Sequence, residues 1–337
     1  GHTDVVTPGD VSTWTTDPFG AEIRDGRMYG RGSCDTKGNL AAMLIAMAAL
    51  KRAGVPLQGS IIGGVLCDEE DRMLGVRHFI EQGHADKVSG AVICEPQDGL
   101  ICTRQKGAVR AEFFISGRMS HGAMPLSGLN TAPAVAELIQ GLHRLEQQAA
   151  ASCGRDIHLG WPSFTPTVVQ APASGPSQLN VMPGQARIQV DARTIPGQDH
   201  QQVIADLRGL ARTAEQACLE HYRQYDDFLD LERRRELKIQ TTILTDRPCT
   251  LTPEDHPLVL AADRASRQVT GKEPQHAGVP GATNGTFLWA LKDVPIVTLG
   301  AGDRFVPHQV DEWVDLDSLF QTARIYALTG LYFLAAD

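Results

Sequence analysis

The sequence predicts an α/β protein in which a mainly parallel-sheet domain is interrupted by a smaller, ferredoxin-like α+β insertion. Three observations carry this. The first third alternates short apolar runs with helical patterns, the middle runs in the order β-α-β-β-α-β, and the last third returns to the pattern of the first. In the first third, "NLAAMLIAMAALKRAG" (Asn39 to Gly54) is rich in Ala, Leu and Met. It ends in Lys51-Arg52 and is followed by Gly54 and Pro56, a full set of helix stop signals. "GSIIGGVLC" and "SGAVIC" read as buried strands, with "VRHFIEQG" as a helix between them.

In the middle, "VRAEFFISG" alternates like a half-exposed strand and "NTAPAVAELIQGLHRLEQQAAA" follows as a helix. "TPTVVQAP" and "ARIQVDARTI" are strands, "HQQVIADLRGLARTAEQACLEHY" is a second helix and "LKIQTTILT" the last strand. This is the split βαβ order, so an inserted domain is expected at 107–247, with 1–106 and 248–337 forming the other domain. After the insertion, "HPLVLAADRASRQVTG" is helical, "VPIVTLGAG" is a buried strand and "LDSLFQTARIYALTGLYFLA" is a closing helix.

Composition narrows the function. A length of 337 residues favours two domains over one, and no apolar run approaches the ~20 residues that span a bilayer. The formal net charge of −9 argues against nucleic acid, because phosphate contacts need a basic surface. Lys and Arg cluster only in "LERRRELK", which also carries acids and reads as a solvated helix end. Seven cysteines without a CxxC pair suit reduced thiols, so a cytoplasmic location is expected, with no membrane and no nucleic-acid partner.

Chemistry collects where apolar runs end. In open α/β sheets ligands bind beyond the carboxyl ends of the strands, so such spots can converge. Asp35 lies in the Gly-rich "GRGSCDTKG", Asp68 to Asp71 follow "VLC", Glu95 follows "AVIC", and His308 follows "VPIVTLGAG". Taken singly, each has a plainer explanation. An acidic run is usually a solvated turn, an Asp in a Gly-rich loop a cap, and a lone His a surface residue. Together with His2 in "GHTDVV", they make a coherent ligand set for two zinc-like ions sharing one carboxylate, for which Asp35 is the natural bridge.

Glu69 and Glu70 are neighbours whose side chains point in different directions, so one can bind metal while the other acts as general base. A metal-activated water needs an acceptor for its proton, and Glu69 would take it and return it to the leaving amine. Asp4 lies two residues after His2, on the same side of an extended chain, where it could accept a hydrogen bond from the other imidazole nitrogen. His2 therefore reads as a native ligand and not an expression remnant, since Thr3, Asp4 and Val5 continue the motif.

In this order, "GHTDVV", "GRGSCDTKG", "DEE", "CEP", "GRMSHGAMP", "DAR" and "PHQVDE" resemble the dinuclear zinc amidohydrolases of the acetylornithine deacetylase, succinyl-diaminopimelate desuccinylase and carboxypeptidase type. The resemblance covers essentially the whole chain. It implies His2, Asp35 and Glu95 on one ion, with Asp35, Glu70 and His308 on the other, and Glu69 as general acid/base. It also implies that the inserted domain is a lid through which a homodimer forms, and that His121 helps to stabilise the oxyanion. Asn180 and Arg193 would hold the substrate carboxylate, a task that suits the planar fork of Arg.

Two departures accompany the resemblance. Members of the family begin with about one helix and a pair of strands ahead of the GHxD motif. With these lacking here, either the sequence is a fragment of a longer chain, or the fold lacks part of its sheet, which would leave an exposed sheet edge and a loosely held His2. Desuccinylases carry Ser-Asp-Gly-Arg-Phe where this chain has "GATNGTFL". Thr286 stands at the arginine, which disfavours a diaminopimelate substrate, while Thr283 and Asn284 remain suited to hydrogen-bonding a neutral or zwitterionic one.

The expected activity is removal of an acyl group from an N-acyl amino acid. The nearest alternative is a metallo-exopeptidase acting on short peptides, and a rival of another class is a non-catalytic binding or scaffold protein on the same fold. Zinc is expected from ligand type, with cobalt or manganese also compatible. A dinuclear phosphoesterase is disfavoured, because no basic cluster adjoins the ligands.

Overall fold

The computed structural model describes residues 1–223 and 236–335. It divides into two compact units, Gly1–Lys106 with Cys249–Asp337, and Gly107–Pro248. Of the "LERRRELK" cluster, residues 231–235 lie outside the described residues.

The first unit opens with a hairpin, β1 (Glu22–Arg24) and β2 (Arg27–Tyr29), turning at Asp25-Gly26, both at positive φ. Helix α1 (Gly38–Ala53) ends where Gly54 adopts φ +63, the left-handed conformation glycine reaches without a Cβ penalty. Then come α2 (Leu74–Glu81), β3 (Ala91–Ile93) and β4 (Ile101–Gln105).

The second unit contains β5 (Gly107–Ser116), the short β6 (Ser120–His121), α3 (Ala132–Cys153), β7 (Ser163–Gln170), the short β8 (Val181–Met182), β9 (Gln185–Thr194), α4 (His200–Arg223) and β10 (Lys238–Arg247). Its four long strands form an antiparallel sheet in the order β10-β5-β9-β7, and the two-stranded β6-β8 stands apart. This is the ferredoxin-like arrangement. Period-two patterning places Val109, Ala111, Phe113 and Ile115 of β5 with Ala186, Ile188, Val190 and Ala192 of β9 on one face. There they bury against Leu138 and Leu142 of α3 and Leu207 and Ala211 of α4.

The chain returns to the first unit through β11 (Thr250–Leu251), α5 (Pro257–Thr270), β12 (His276–Val279), α6 (Gly285–Lys292), β13 (Ile296–Thr298), β14 (Trp313–Asp315) and α7 (Leu316–Phe333). The main sheet runs β11-β4-β13-β3 with β12 also on β4. Its longer pairings, β12 with β4 and β13 with β3, are parallel, and β11 pairs antiparallel. Alternation along β13 serves both faces. Val297 joins α1, α5 and α7, whereas Ile296 joins Val76 and Ile80 of α2 and Phe287 and Leu288 of α6. β14 closes a small sheet with β2, bringing 312–315 against 27–30.

The run "GSIIGGVLC" does not form the expected strand. Its only pairing is a bridge between Leu66 and His2, and Ile62 and Val65 are half exposed. It lines an apolar cavity of about 620 Å³ together with β3 and makes no ladder with that strand, so its backbone lacks the neighbour that would hold it as sheet. His2, by contrast, is not loosely held. It is 0% exposed, and Thr3 N–H and Leu66 N–H reach Leu66 O and Gly1 O at 2.9 and 3.0 Å.

Candidate metal centre

Each acidic or imidazole group of the first unit arrives on a different segment. His2 is set by its bridge to Leu66, Asp35 by the Gly-rich loop ahead of α1, and Glu69 and Glu70 by the turn ahead of α2. Glu95 follows β3 directly. His308 lies in the loop between β13 and β14 at φ +68, a left-handed conformation that His tolerates better than most residues. Gly32 is required here. It sits at φ +85, and a Cβ would meet Val5 Cγ1 at 2.6 Å.

These segments bring two groups together. His2, Asp35 and Glu95 form one, and Asp35, Glu70 and His308 the other, with ligand atoms in each within 4.8 Å of one another. The carboxylate of Asp35 is divided between them. Oδ1 lies 3.2 Å from His2 Nε2 and Oδ2 lies 3.4 Å from His308 Nε2. Glu95 Oε1 is 3.7 Å from His2 Nε2, and Glu70 Oε2 is 3.1 Å from His308 Nε2.

Asp4 does more than the sequence suggests. Its backbone carbonyl lies 3.0 Å from His2 Nδ1, while its carboxylate Oδ1 stands at 3.5 Å and Oδ2 accepts the Glu70 N–H at 3.1 Å. Asp4 thereby ties His2 to Glu70, one residue of each group. Glu69 is buried beside them, and its negative charge is felt by both His2 and Glu95.

The electrostatics are those of a site short of positive charge. Burial and the neighbouring charges of Asp35 and Glu69 push the Glu95 carboxyl well above its usual range. Burial alone would also raise Asp35, but hydrogen bonds and charge from His2 and His308 hold it far below the usual range. For His2, burial lowers the pKa, and the bond to Asp35 with the charges of Glu69, Asp35 and Asp4 more than offsets this, leaving it raised. Hydrogen bonds that it donates to the Asp35 and Glu70 carboxylates lift His308 to about 10. The donor set fits two divalent cations. Glu95 Oε1 is buried with no hydrogen-bond partner, Asp35 turns one oxygen to each group, and three carboxylates face two imidazoles.

The remaining residues lie elsewhere. Thr283 and Asn284 are enclosed at the start of α6. The Thr283 hydroxyl meets Gln105 and accepts the Gly285 N–H, and Asn284 borders the apolar cavity with neither amide atom bonded. Both are buried where α6 packs onto the sheet. In the second unit His121 and Asn180 are adjacent and exposed, linked by the β6-β8 pairing and by Gly122 N–H to Asn180 O at 2.8 Å. Arg193 lies on the four-stranded sheet, eight residues along β9 from Gln185 or roughly 26 Å at ~3.3 Å per residue, and its fork closes on Asp191 at 2.8 and 2.9 Å.

Sequence reasoning missed Glu312 and Arg31, a fully buried pair that holds the Asp35 loop. Glu312 ends the motif "PHQVDE", but nothing in a lone acid marks it as backbone-directed. A signal was available in Gly30 and Gly32, which flank Arg31 at φ +152 and +85. Such a loop turns several N–H groups to one side and needs an acceptor there.

Comparison with known proteins identifies the family. Residues 1–331 match peptidase family M20/M25/M40. The chain is 28% identical over 337 residues to succinyl-diaminopimelate desuccinylase from Nitrosococcus oceani, covering 97% of this chain and 81% of the relative. Among solved structures, an M20 family metallo-carboxypeptidase from Sulfolobus solfataricus superposes with a TM-score of 0.70 at 19% identity, covering 98% of this chain and 84% of that one. A dinuclear metal-binding peptidase of the M20 family from Bacillus subtilis does so at 0.63 and 18% identity, covering 90% and 73%. These structural likenesses concern the fold. With the family matched along nearly its whole length, the chain belongs to peptidase family M20/M25/M40 and is a metal-dependent hydrolase.

Proposed function

We propose that the protein hydrolyses the amide bond of an N-acyl amino acid, releasing the acyl group as a carboxylate. The observation that carries this reading is the pair of ligand groups sharing Asp35 with Glu69 buried beside them. His2, Asp35 and Glu95 would hold one divalent ion, and Asp35, Glu70 and His308 the other. Zinc suits this imidazole and carboxylate set, and cobalt or manganese can replace it. Bound there, the ions supply Lewis-acid polarisation of the scissile carbonyl and acidification of the attacking water.

The chain's own residues do the rest. Glu69 receives the proton of the attacking water and returns it to the leaving nitrogen, so the amine departs neutral. The Asp4 carbonyl at His2 Nδ1 favours the tautomer with the proton on that nitrogen, which leaves Nε2 as the ligand atom. His121 would donate to the developing oxyanion. Asn180 and Arg193 would hold the substrate carboxylate, Arg193 exchanging Asp191 for it.

Thr286, fully buried and without a hydrogen-bond partner, supplies no charge for a second substrate carboxylate, which argues against diaminopimelate as the amine product. We further propose a homodimer formed through the second unit, as Arg193 lies near one end of its four-stranded sheet and the His121–Asn180 pair on the separate β6-β8 ribbon beyond the other, an arrangement that fits two sites better than one. Seven cysteines, with no disulfide among the described residues, support a cytoplasmic location. Among the described residues no helix is long and apolar enough to cross a membrane.

The test is primary-amine release from N-acetyl amino acids, N-succinyl amino acids and dipeptides in the presence of zinc or cobalt. Glu69→Ala should lower the best rate about 10²–10⁴-fold. Dipeptides as the best substrates would assign the same machinery to a metallo-exopeptidase. A Glu69→Ala rate equal to the wild type would remove the enzymatic reading and leave a binding or scaffold role.

A further inference from the structure

Glu312 is 0% exposed, and its carboxylate is surrounded by donors from one loop. Oε1 accepts the backbone N–H groups of Gly32, Cys34 and Asp35 at 3.1, 3.0 and 2.9 Å, and Oε2 accepts from Arg31 Nη1 at 2.5 Å. Its backbone carbonyl accepts the Gly30 N–H at 2.8 Å, so Glu312 spans the loop from Gly30 to Asp35. A buried carboxylate is costly unless its lone pairs are met, and here the chain meets them with the segment that ends in the ligand shared by both groups.

We propose that Glu312 is a positioning residue for the metal centre. It acts through the Asp35 backbone to fix the shared carboxylate relative to His308, which stands four residues upstream of Glu312 on the same segment. Three N–H bonds to one oxygen set the peptide planes of 32–35, and those planes set the direction in which Asp35 leaves the backbone. Arg31, 2% exposed in its side chain, neutralises Glu312 and keeps its charge from competing with the site for cations. The anchor therefore controls both ions at once, although it belongs to neither ligand group. A role confined to stability would lower the melting temperature and leave the ligand geometry as it is.

This inference rests on the reading of Asp35 as a metal ligand, and cobalt separates the two. The full-length wild type and Glu312→Gln, both stripped with chelator, are titrated with Co²⁺ by calorimetry and visible absorption. Gln keeps an acceptor for the loop N–H groups but sets an amide against Arg31. The expected result is binding weakened 10–100-fold at both ions, with an altered absorption band. Unchanged affinities and band in a Glu312→Gln protein that merely melts earlier would overturn the positioning role and leave the metal reading intact. A wild type that takes up no Co²⁺ would overturn both. Should Glu312→Gln fail to fold, Arg31→Lys is read in its place, since it keeps the charge and removes the fork. Weaker Co²⁺ binding supports the anchor, and wild-type binding overturns it.

Discussion

Asp35 differs from the other proposed ligands in having its two oxygens turned to different groups, so its loss and theirs should have different consequences. Asp35→Asn should abolish tight binding of both ions, whereas Glu95→Gln should remove one, as read by metal analysis after dialysis against zinc. An Asp35→Asn protein that retained two ions would show that the carboxylate is not shared. The candidate ligands were legible in the sequence only as a set, because each alone has an ordinary structural use and only together do they make a coherent donor set. Asp4 was legible as a partner of His2, but its bond to the Glu70 N–H was not, as that depends on a turn 66 residues away. Thr283 and Asn284 carry groups suited to a substrate, yet residue type does not tell which way a helix start will face. Here it faces inward, and the Thr283 hydroxyl is taken by Gln105.

At the scale of elements, the βαββαβ unit was readable because each strand alternates cleanly and each helix is long. The first unit was harder, since β11, β12 and β14 are two to four residues long and their pairing is decided by distant segments. One such join makes a pH-dependent prediction. His276 on β12 meets Asp263 of α5 at 2.9 Å and Glu254 at 3.1 Å, and Arg104 of β4 lies 3.8 Å from Glu254. Burial lowers the His276 pKa, but the two carboxylates outweigh it and leave it raised. The tie therefore contributes fully below the unfolded value of about 6.5 and is lost as pH rises through the raised folded value. Urea unfolding of wild type and His276→Gln should differ by under about 1 kcal/mol at pH 5.5, as Glu254 is solvent-exposed and screened, and the gap should close in alkaline buffer. A gap that is constant with pH would assign His276 a packing role alone.

For the whole molecule, the separation along β9 gives the proposed dimer a functional consequence that can be tested. His121 and Asn180 sit beyond the Ser116–Gln185 end of the second unit's sheet, and Arg193 pairs with Ala108 at the other. In the proposed two-fold pair, each site would receive one end from each copy. Complementation separates the possibilities. Glu69→Ala and His121→Ala would each be inactive as pure dimers. If His121 serves the partner's site, a hybrid dimer combines an intact Glu69 with an intact His121 at one of its two sites. Random pairing then restores about a quarter of wild-type activity. If His121 serves its own chain, every site in the hybrid keeps one defect and mixing restores nothing. Sedimentation of the mixture at the dimer mass, together with recovered amine release, would support the proposed assembly. A monomer with full activity would end it.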